Sequence, residues 1–306
     1  MPTEFTAQVT TIYCLCDDFL RAWGHKDDPQ AKMSTAEVMT VALVAAARFN
    51  SNHEISRLFL KGHGYMPAML SKGRFNRRLH AVPEALWQGL LWLLGQVAQQ
   101  NESQQNESQQ NESQQNESQQ NESQQNESQQ NESQQPYIVD SCPVPVCANI
   151  RICRCRLYQD EHHRGYCASK RSYYYGLKVH LLVSATGQPV EFVLTPAAEA
   201  DISGLRRLGL DLAPGAWVVA DAAYTDYTFE DIMGEAGQIT LTADRRKNSK
   251  RPHPAWLSYW CQQSRRRIET TFSTLTEWMG RRLHAVTPQG FELKIGLTIL
   301  AYAILT

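Results

Sequence analysis

The sequence predicts an α/β protein in which an all-helical domain precedes a mixed five-stranded sheet flanked by helices. In residues 1–100, apolar side chains recur at helical spacing, and a capping box from Ser34 to Glu37 opens one of these helices. In residues 136–306, short apolar runs such as Trp217 to Ala220 are bounded by turn residues, which is typical of buried strands. A pure repeat separates the two patterns, so we place a domain boundary there.

The composition fits a protein with a substantial core and a surface that can bind phosphates. The chain has 306 residues, of which 42% are hydrophobic, so it is long enough for two domains. Its formal net charge is -1, but residues 1–100 carry 10 basic against 8 acidic side chains, and residues 136–306 carry 20 against 16. The basic residues are clustered, and such clusters attract the phosphate backbone of nucleic acids.

We expect a cytoplasmic protein that makes no contact with a membrane. No apolar run reaches the roughly 18 residues that a membrane-spanning helix needs. The N-terminus, M-P-T-E-F-T, does not have the basic and then apolar plan of a signal peptide. The 8 cysteines therefore predict reduced thiols rather than a disulfide framework. Structural zinc is the alternative for those from Cys142 to Cys167, although this region contains no C-x2-C pair.

Residues 1–100 are predicted to form a compact helical domain. Periodicity and end signals predict helices over 4–24, 36–49, 53–61, 66–71, 72–80 and 83–97. The helix over 72–80 carries Arg74, Arg77 and Arg78. These arginines predict either a DNA-facing element or an ordinary solvated basic face.

The segment from Asn101 to Gln135 consists of the sequence N-E-S-Q-Q repeated without a change. It has no apolar residue, and its period matches neither a helix nor a strand, so it cannot form a core. We therefore predict a disordered acidic linker between the helical domain and a second domain over 136–306.

The order of the elements predicted for residues 136–306 indicates one particular fold. We predict strands over 137–140, 173–184, 189–195, 217–220 and 238–242, and helices over 201–208, 227–236, 257–279 and 290–305. This is the order of a ribonuclease-H-like domain, in which the first and fourth strands are neighbours at the centre of the sheet. Two strand ends far apart in sequence are therefore expected to meet.

Three acids are expected to come together in this fold. Asp140 and Asp221 each follow a buried strand, and Glu269 lies in the long helix after a run of arginines. Neighbouring carboxylates raise each other's pKa unless cations neutralise them, and hard oxygen ligands with open positions suit Mg²⁺ or Mn²⁺. We predict that the three acids are catalytic and bind two such ions, which activate water or a DNA 3′-hydroxyl for displacement at phosphorus.

Each acid also has a plainer interpretation. A single aspartate at a strand end is often just solvated, and Glu269 could pair with Arg265, which lies four positions before it on the same helix. A fourth acid, Asp201, is expected to cap a helix rather than to bind metal.

Basic side chains near these acids predict a surface that binds DNA. Trp256, Tyr259 and Trp260 are interleaved with them and could stack on unpaired bases, whereas a solubilising loop is the alternative. Lys178 and His180 share one strand face, so both could approach a phosphate; the alternative for His180 is a buried histidine whose nitrogens are satisfied. Besides the three arginines of the helical domain, the predicted DNA-binding residues are Lys178, Arg245, Arg246, Lys247, Lys250, Arg251, Arg265, Arg266 and Arg267.

Several segments taken together resemble a known family. They are Y-I-V-D-S-C-P-V-P-V-C, Y-Y-G-L-K-V-H-L-L-V-S-A-T-G, L-T-P-A-A-E-A-D, V-V-A-D-A-A-Y and R-R-R-I-E-T-T-F-S, in this order. With them the chain is similar to the DDE transposases of bacterial insertion sequences, and most similar to insertion-sequence family 982. The resemblance implies that Asp140, Asp221 and Glu269 are the first, second and third catalytic acids.

The resemblance also implies partners and a reaction. Such an enzyme cleaves DNA at the terminal inverted repeats of its element and transfers the freed strand to target DNA. Because both element ends must be held together, we expect at least a homodimer on DNA, in a protein associated with the bacterial nucleoid.

The sequence departs from the family pattern around two of the acids. Relatives commonly have G-D-x-G-Y at the second acid, where this chain has Ala220 and Ala223 in place of the glycines. Relatives also surround the glutamate with a tyrosine, an arginine and a lysine; Arg265 fits the arginine, but Gln262 and Thr276 replace the other two. A ribonuclease-H-like nuclease without strand transfer, and a decayed copy that only binds DNA, therefore remain alternatives.

Overall fold

The computed structural model describes residues 2–117, 136–168, 170–280 and 282–306. The chain forms two compact units. One, the helical unit, comprises Met1–Leu93, Pro145–Gly176 and Phe272–Thr306; the other, the sheet unit, comprises Leu94–Val144 and Leu177–Thr271. Among the helices in the described ranges, none combines the length and apolar character that a membrane crossing requires.

The helices largely follow the predicted ones. They are α1 (Pro2–Ala22), α2 (Thr35–Arg48), α3 (His53–Gly62), α4 (Lys72–Ala81), α5 (Glu84–Glu117), α6 (Asp201–Leu205), α7 (Tyr227–Gly237), α8 (Ala255–Met279) and α9 (Pro288–Leu305). The predicted helix over 66–71 does not form, because Pro67 disfavours helical backbone at the residue before it and the segment is too short to nucleate.

The helical unit is organised around α2. The Ser34 hydroxyl accepts a hydrogen bond from the Glu37 backbone N–H, and the Glu37 carboxylate accepts one from the Ser34 N–H at 2.7 Å, so the predicted capping box is confirmed. Apart from Glu37, α2 is buried from Thr35 to Ala46, and it packs against α1, α3 and α9. Small and β-branched apolar residues allow this close approach on all sides.

Helix α5 continues into the N-E-S-Q-Q repeat as far as Glu117. We predicted a disordered linker for this segment, and the difference has a physical reason. Glutamine and glutamate are good helix formers, and adding residues to a helix that already exists costs much less than nucleating one. The remainder of the repeat, 118–135, lies outside the described residues.

The sheet is mixed, which confirms the predicted α/β class with a ribonuclease-H-like order. Its strands are β1 (Tyr137–Ala148), β2 (Arg164–Cys167), β3 (Ser172–Val183), β4 (Pro189–Pro196), β5 (Trp217–Ala220) and β6 (Thr240–Ala243). Their order is β2-β3-β1-β5-β6, with β4 also paired to β3. The described part of the sheet therefore has 6 strands rather than the five we predicted. The addition is β2, whose sequence R-G-Y-C has no apolar alternation and pairs through its backbone with the start of β3.

The central strand pair positions the predicted site. Strands β1 and β5 are parallel, with Val139 opposite Ala220, so the next residues in this register are Asp140 and Asp221. Both strands are anchored by the core of the sheet unit, where Val139, Val218 and Ala220 are fully buried. The prediction that these two strands are neighbours is confirmed.

Candidate active site

Asp140 and Asp221 leave adjacent strands side by side, and the backbone that follows each one orients its carboxylate. The Oδ1 atom of Asp140 accepts a hydrogen bond from the Ser141 N–H at 2.7 Å, and the Oδ1 atom of Asp221 accepts one from the Ala222 N–H at 2.6 Å. Asp221 also caps the short 3-10 turn Ala222–Tyr224. Each carboxylate is therefore held by its own chain.

A single guanidinium joins the two carboxylates. Arg265 donates from Nη2 to Asp140 Oδ2 and from Nη1 to Asp221 Oδ1, each at 3.1 Å. Its side chain is 19% exposed, against 17% for Asp140 and 39% for Asp221. Arg265 reaches this position because it lies on the buried face of α8, at helical spacing from Cys261 and Ile268, which are both fully buried.

The electrostatics of this group reflect the burial of like charges. Burial raises the pKa of Asp140, and the nearby Asp221 carboxylate adds to the rise, while Arg265 and the Ser141 N–H oppose it. Burial lowers the pKa of Arg265, but the charges of Asp140, Asp221 and Glu269 raise it above its ordinary value overall. The aspartate pair is thus a place where a cation is favoured.

Glu269 does not join this pair. It lies one helical turn after Arg265 and is exposed. In the part of the chain that the structure describes, no three histidine, cysteine, aspartate or glutamate side chains are close enough to hold one metal ion. The structure therefore brings together two of the three predicted acids, and the ion pairs of Arg265 are with these two rather than with Glu269.

A second group of polar side chains lies behind Asp140 and is connected to it through Ser141. The Nζ atom of Lys178 lies 2.7 Å from Asp201 Oδ1 and also donates to the Glu199 carbonyl, while the Ser141 hydroxyl donates to Asp201 at 3.3 Å. Asp201 is the first residue of α6, whose N-cap is Ala200, so the prediction that Asp201 caps this helix is wrong. Its carboxylate binds Lys178 instead, because the two meet inside the sheet unit where an isolated charge would be costly.

A buried histidine continues this network. His180 is completely buried, with Nδ1 2.9 Å from the Tyr224 hydroxyl and Nε2 2.9 Å from the Thr195 hydroxyl. Burial lowers the pKa of His180 to about 4, so the ring is neutral at pH 7. Of the two interpretations we left open, a buried His180 with satisfied nitrogens is the one observed. Tyr224 in turn hydrogen-bonds Ser141 and follows Asp221 by three residues, so it links both aspartates to the core.

The chain was compared with known proteins. A family model described as the transposase DDE domain matches residues 131–304, which is more than half of the chain. The chain belongs to the DDE transposases. Neither the curated proteins nor the solved structures contained a significant match to this transposase. The match does not distinguish insertion-sequence family 982, which stays a prediction from the motifs.

Some of the residues predicted to bind DNA lie on the surface of the sheet unit of this transposase. Trp256 and Tyr259 on α8 are each 65% exposed, which is unusual for large aromatic side chains. Trp260 instead stacks on Trp217, with ring centroids 4.2 Å apart. Of the predicted DNA-binding residues in this unit, those with exposed side chains are Arg246, Lys247, Lys250, Arg251, Arg266 and Arg267.

Other predicted DNA-binding residues have partners inside the protein. Arg245 forms a two-pronged ion pair with Glu230, one prong at 2.8 Å, and the two side chains are only 7% and 8% exposed. Arg251 pairs with Asp231 at 2.7 Å on the surface. Lys178 and Arg265 are held by the acids described above. A buried and paired Arg245 has little guanidinium surface left for a phosphate.

In the helical unit, the basic residues of α4 line a pocket. Arg74 and Arg77 are exposed, and Arg78 lies 3.1 Å from Asp27. Burial raises the pKa of Asp27, but hydrogen bonds from Thr35 and then from Arg78 lower it below its ordinary value overall. A cavity of about 340 Å³ lies against these arginines and Lys32. This arrangement places several positive charges around one concave surface.

The cysteine-rich segment holds no disulfide among the described residues. Cys147 and Cys155 hydrogen-bond to each other, and burial raises the pKa of the Cys147 thiol to about 11. The predicted alternative of structural zinc has no supporting ligand cluster in the described ranges.

The roles of Ser141, Tyr224 and Arg265 in this site were not predicted from the sequence. For Arg265 a signal existed, because it lies at i+4 from Cys261 and i−3 from Ile268 on the face of α8 that the apolar pattern buries. An arginine on a buried helix face needs an acidic partner. Ser141 and Tyr224 carried no comparable signal.

Proposed function

We propose that this transposase cleaves DNA at the ends of its insertion sequence in a metal-dependent reaction and joins the freed strand to target DNA. The observation that carries the proposal is the pair of carboxylates, Asp140 and Asp221, at the ends of neighbouring parallel strands and close enough to share one guanidinium. Membership of the DDE transposases supports the reaction class.

The residues at the pair fit a divalent cation. Both aspartates offer hard oxygen ligands, and the raised pKa of Asp140 indicates that a nearby cation would stabilise its charged form. We propose that Asp140 and Asp221 hold Mg²⁺ or Mn²⁺, and that two ions are bound. When bound, such ions activate a water or a 3′-hydroxyl and stabilise the leaving oxygen.

The protein's own groups have positioning roles in this proposal. The N–H groups of Ser141 and Ala222 fix one oxygen of each carboxylate, which limits how either side chain can rotate. The neutral His180 and the Tyr224 hydroxyl brace the same strand ends without adding a charge. We propose that Glu269, on the same helix as Arg265, is the third acid and would complete the ligands of a bound cation.

We propose that DNA contacts the exposed basic residues of the sheet unit and the basic pocket of the helical unit. Arg246, Lys247, Lys250, Arg266 and Arg267 have exposed side chains, and phosphate contacts of this kind supply most of the affinity for DNA. The exposed rings of Trp256 and Tyr259 offer stacking surfaces for frayed bases. In the helical unit, Arg74, Arg77 and Arg78 would bind the backbone. Both element ends must be held, so at least a homodimer is required.

The test is a cleavage and joining assay with a plasmid that carries the element's own ends, in Mn²⁺, in Mg²⁺ and in chelator. We expect metal-dependent nicks at the element boundary, mapped at nucleotide resolution, followed by joined DNA. Asp140→Asn and Asp221→Asn should abolish both products, by at least about a thousandfold, because each removes a charge from the metal-binding pair. Glu269→Gln should do the same if Glu269 is the third acid.

Glu235→Gln is the matched control, because Glu235 is an exposed acid on α7 outside the site. Cleavage without joining would identify a nuclease rather than a transposase reaction. Binding to the ends without any cleavage in the unaltered protein would identify a decayed copy that retains only DNA binding.

A further inference from the structure

Arg265 places its guanidinium between the two carboxylates that the proposed metal site needs. It spans Asp140 and Asp221 with two hydrogen bonds of 3.1 Å, and all three side chains are at least partly buried. A guanidinium is a planar cation with donors in a fixed fork, so one Arg can satisfy two carboxylates at once. A group of the protein itself therefore already neutralises half of the pair's negative charge.

A divalent cation shared by the two carboxylates would compete for oxygens that already accept hydrogen bonds. Asp140 Oδ2 accepts from Arg265, and Asp140 Oδ1 accepts from the Ser141 N–H. Asp221 Oδ1 accepts from both Arg265 and the Ala222 N–H. Two positive groups at one buried site would repel each other strongly. The arrangement with Arg265 in place and the arrangement with a bound ion are thus alternatives.

The surroundings of Arg265 also favour release of its guanidinium from the two aspartates. Its Nε atom is buried and has no hydrogen-bond partner among the described residues. An unsatisfied buried donor raises the free energy of the paired state. Glu269 lies one helical turn further along α8 and is exposed, so a released guanidinium has an acid within its reach on the same helix.

We propose that Arg265 is a built-in competitor for the metal, a cation of the protein that occupies the aspartate pair until divalent ions displace it. This inference rests on the proposed metal site. Arg265 then has a positioning role that precedes DNA contact. It keeps two neighbouring carboxylates together and sets the ion concentration at which divalent ions occupy the site.

The competition is tested by metal binding, without DNA and without turnover. The full chain is titrated with Mn²⁺, and the free ion is followed by electron paramagnetic resonance. Arg265→Gln should bind Mn²⁺ on the order of tenfold more tightly than the unaltered protein, because the ion no longer displaces a paired guanidinium. Arg265→Lys keeps the positive charge but loses the forked donors of the guanidinium, so its affinity for Mn²⁺ should lie between those of the unaltered protein and Arg265→Gln.

Thermal unfolding gives a second measurement. In chelator, Arg265→Gln should melt at a lower temperature than the unaltered protein, because two adjacent carboxylates lose their counter-charge. The stabilisation on adding Mn²⁺ should be larger in the variant. Arg21→Gln is the matched control, since Arg21 is an exposed arginine paired with Asp17 on α1, and neither quantity should change.

The outcomes separate the competition from the metal site. If Arg265→Gln is folded and binds Mn²⁺ no more tightly than the unaltered protein, while Asp221→Asn abolishes binding, the competition is refuted and the metal site stands. If Asp221→Asn leaves Mn²⁺ binding unchanged in either background, the ion binds elsewhere, and the metal site proposed for the reaction is refuted as well.

Discussion

At the scale of single residues, the polar network behind the aspartates depends on the absence of one side chain. Gly204 in α6 lies against the His180 ring, and a Cβ built there would come within 2.4 Å of ring atoms. The ring cannot move away freely, because both of its nitrogens are held by Tyr224 and Thr195. Glycine is therefore required at this position by packing rather than by backbone conformation.

We predict that Gly204→Ala destabilises the protein by roughly 1–3 kcal/mol through overpacking. The matched control is Gly234→Ala on α7, where a Cβ would meet nothing within 4 Å. Alanine there should be neutral or stabilising by up to about 1 kcal/mol, because glycine loses more backbone entropy in a helix. Urea denaturation of both variants measures the difference. Equal effects at the two positions would mean that the ring is not tightly held.

Individual residues also show what the sequence could and could not predict. Asp140 and Asp221 were predictable because each ends an apolar strand, and the strand order makes these ends meet. For Arg265 the apolar pattern of α8 indicates a buried position but does not name its partners. The position of Glu269 was not predictable, because it lies four residues after Arg265 on the same helix, and helical periodicity alone does not decide which of the two contacts the aspartates. Electrostatics decide, since a guanidinium stabilises two neighbouring carboxylates and a third carboxylate would repel them.

At the scale of elements, α7 is joined to the basic loop over 244–253 by two ion pairs of different kinds. The pair Arg245–Glu230 is almost completely buried, whereas Arg251–Asp231 is about half exposed, with side-chain exposures of 52% and 51%. Both guanidinium groups lie over the Tyr227 ring, at 5.0 and 4.9 Å from its centroid. The sequence shows only that the loop is basic. Burial in the structure distinguishes Arg245, which is part of the protein interior, from Arg251, which lies on the surface.

We predict that Glu230→Gln destabilises the protein by roughly 3–5 kcal/mol, because it leaves the Arg245 charge buried without a counter-charge. Asp231→Asn, the matched surface change, should leave the urea midpoint nearly unchanged. A double variant, Glu230→Leu with Arg245→Met, should recover much of the loss, since no buried charge remains. If Glu230→Gln were as mild as Asp231→Asn, Arg245 would have to be more solvated than its burial indicates.

Element types and order could be predicted well where hydrophobic periodicity was strong, as in α2, β5 and α8. Prediction failed where backbone pairing or helix propagation decides the structure. Strand β2 forms through hydrogen bonds to β3, and α5 extends into polar repeat residues from an apolar start. Neither process leaves a pattern in the sequence of the segment itself.

At the scale of the whole molecule, the buried His180 and the partly buried His53 make stability depend on pH. Burial lowers the pKa of His180 to about 4, with opposing effects of Asp201, which raises it, and of Lys178 and Arg207, which lower it further. Burial also lowers the pKa of His53 to about 3, with Lys294 and His80 adding to the shift. In the unfolded chain both imidazoles titrate near pH 6.5. Protonation therefore favours the unfolded state.

The pKa values of the two histidines determine the direction in which stability changes with pH. Above about pH 6.5 both histidines are neutral in either state and the stability is full. As the pH falls from there toward the lowered folded pKa values, each histidine removes up to about 1.4 kcal/mol per pH unit. The raised pKa of Asp140 acts in the opposite direction but involves one group, so the net loss persists.

We predict that the free energy of unfolding, measured in urea at about pH 7, 6 and 5, falls steeply as the pH falls. His180→Gln should make this slope shallower by about the contribution of one titrating group. Glutamine keeps a donor and an acceptor for Tyr224 and Thr195 but does not titrate. The variant starts from a lower stability, so the slope and not the value is the readout. His162→Gln is the control, because His162 is exposed and its ring is solvated in both states. An unchanged slope in His180→Gln would mean that this ring is protonated as readily in the folded protein as in the unfolded chain, and that the network behind the aspartates does not require a neutral histidine.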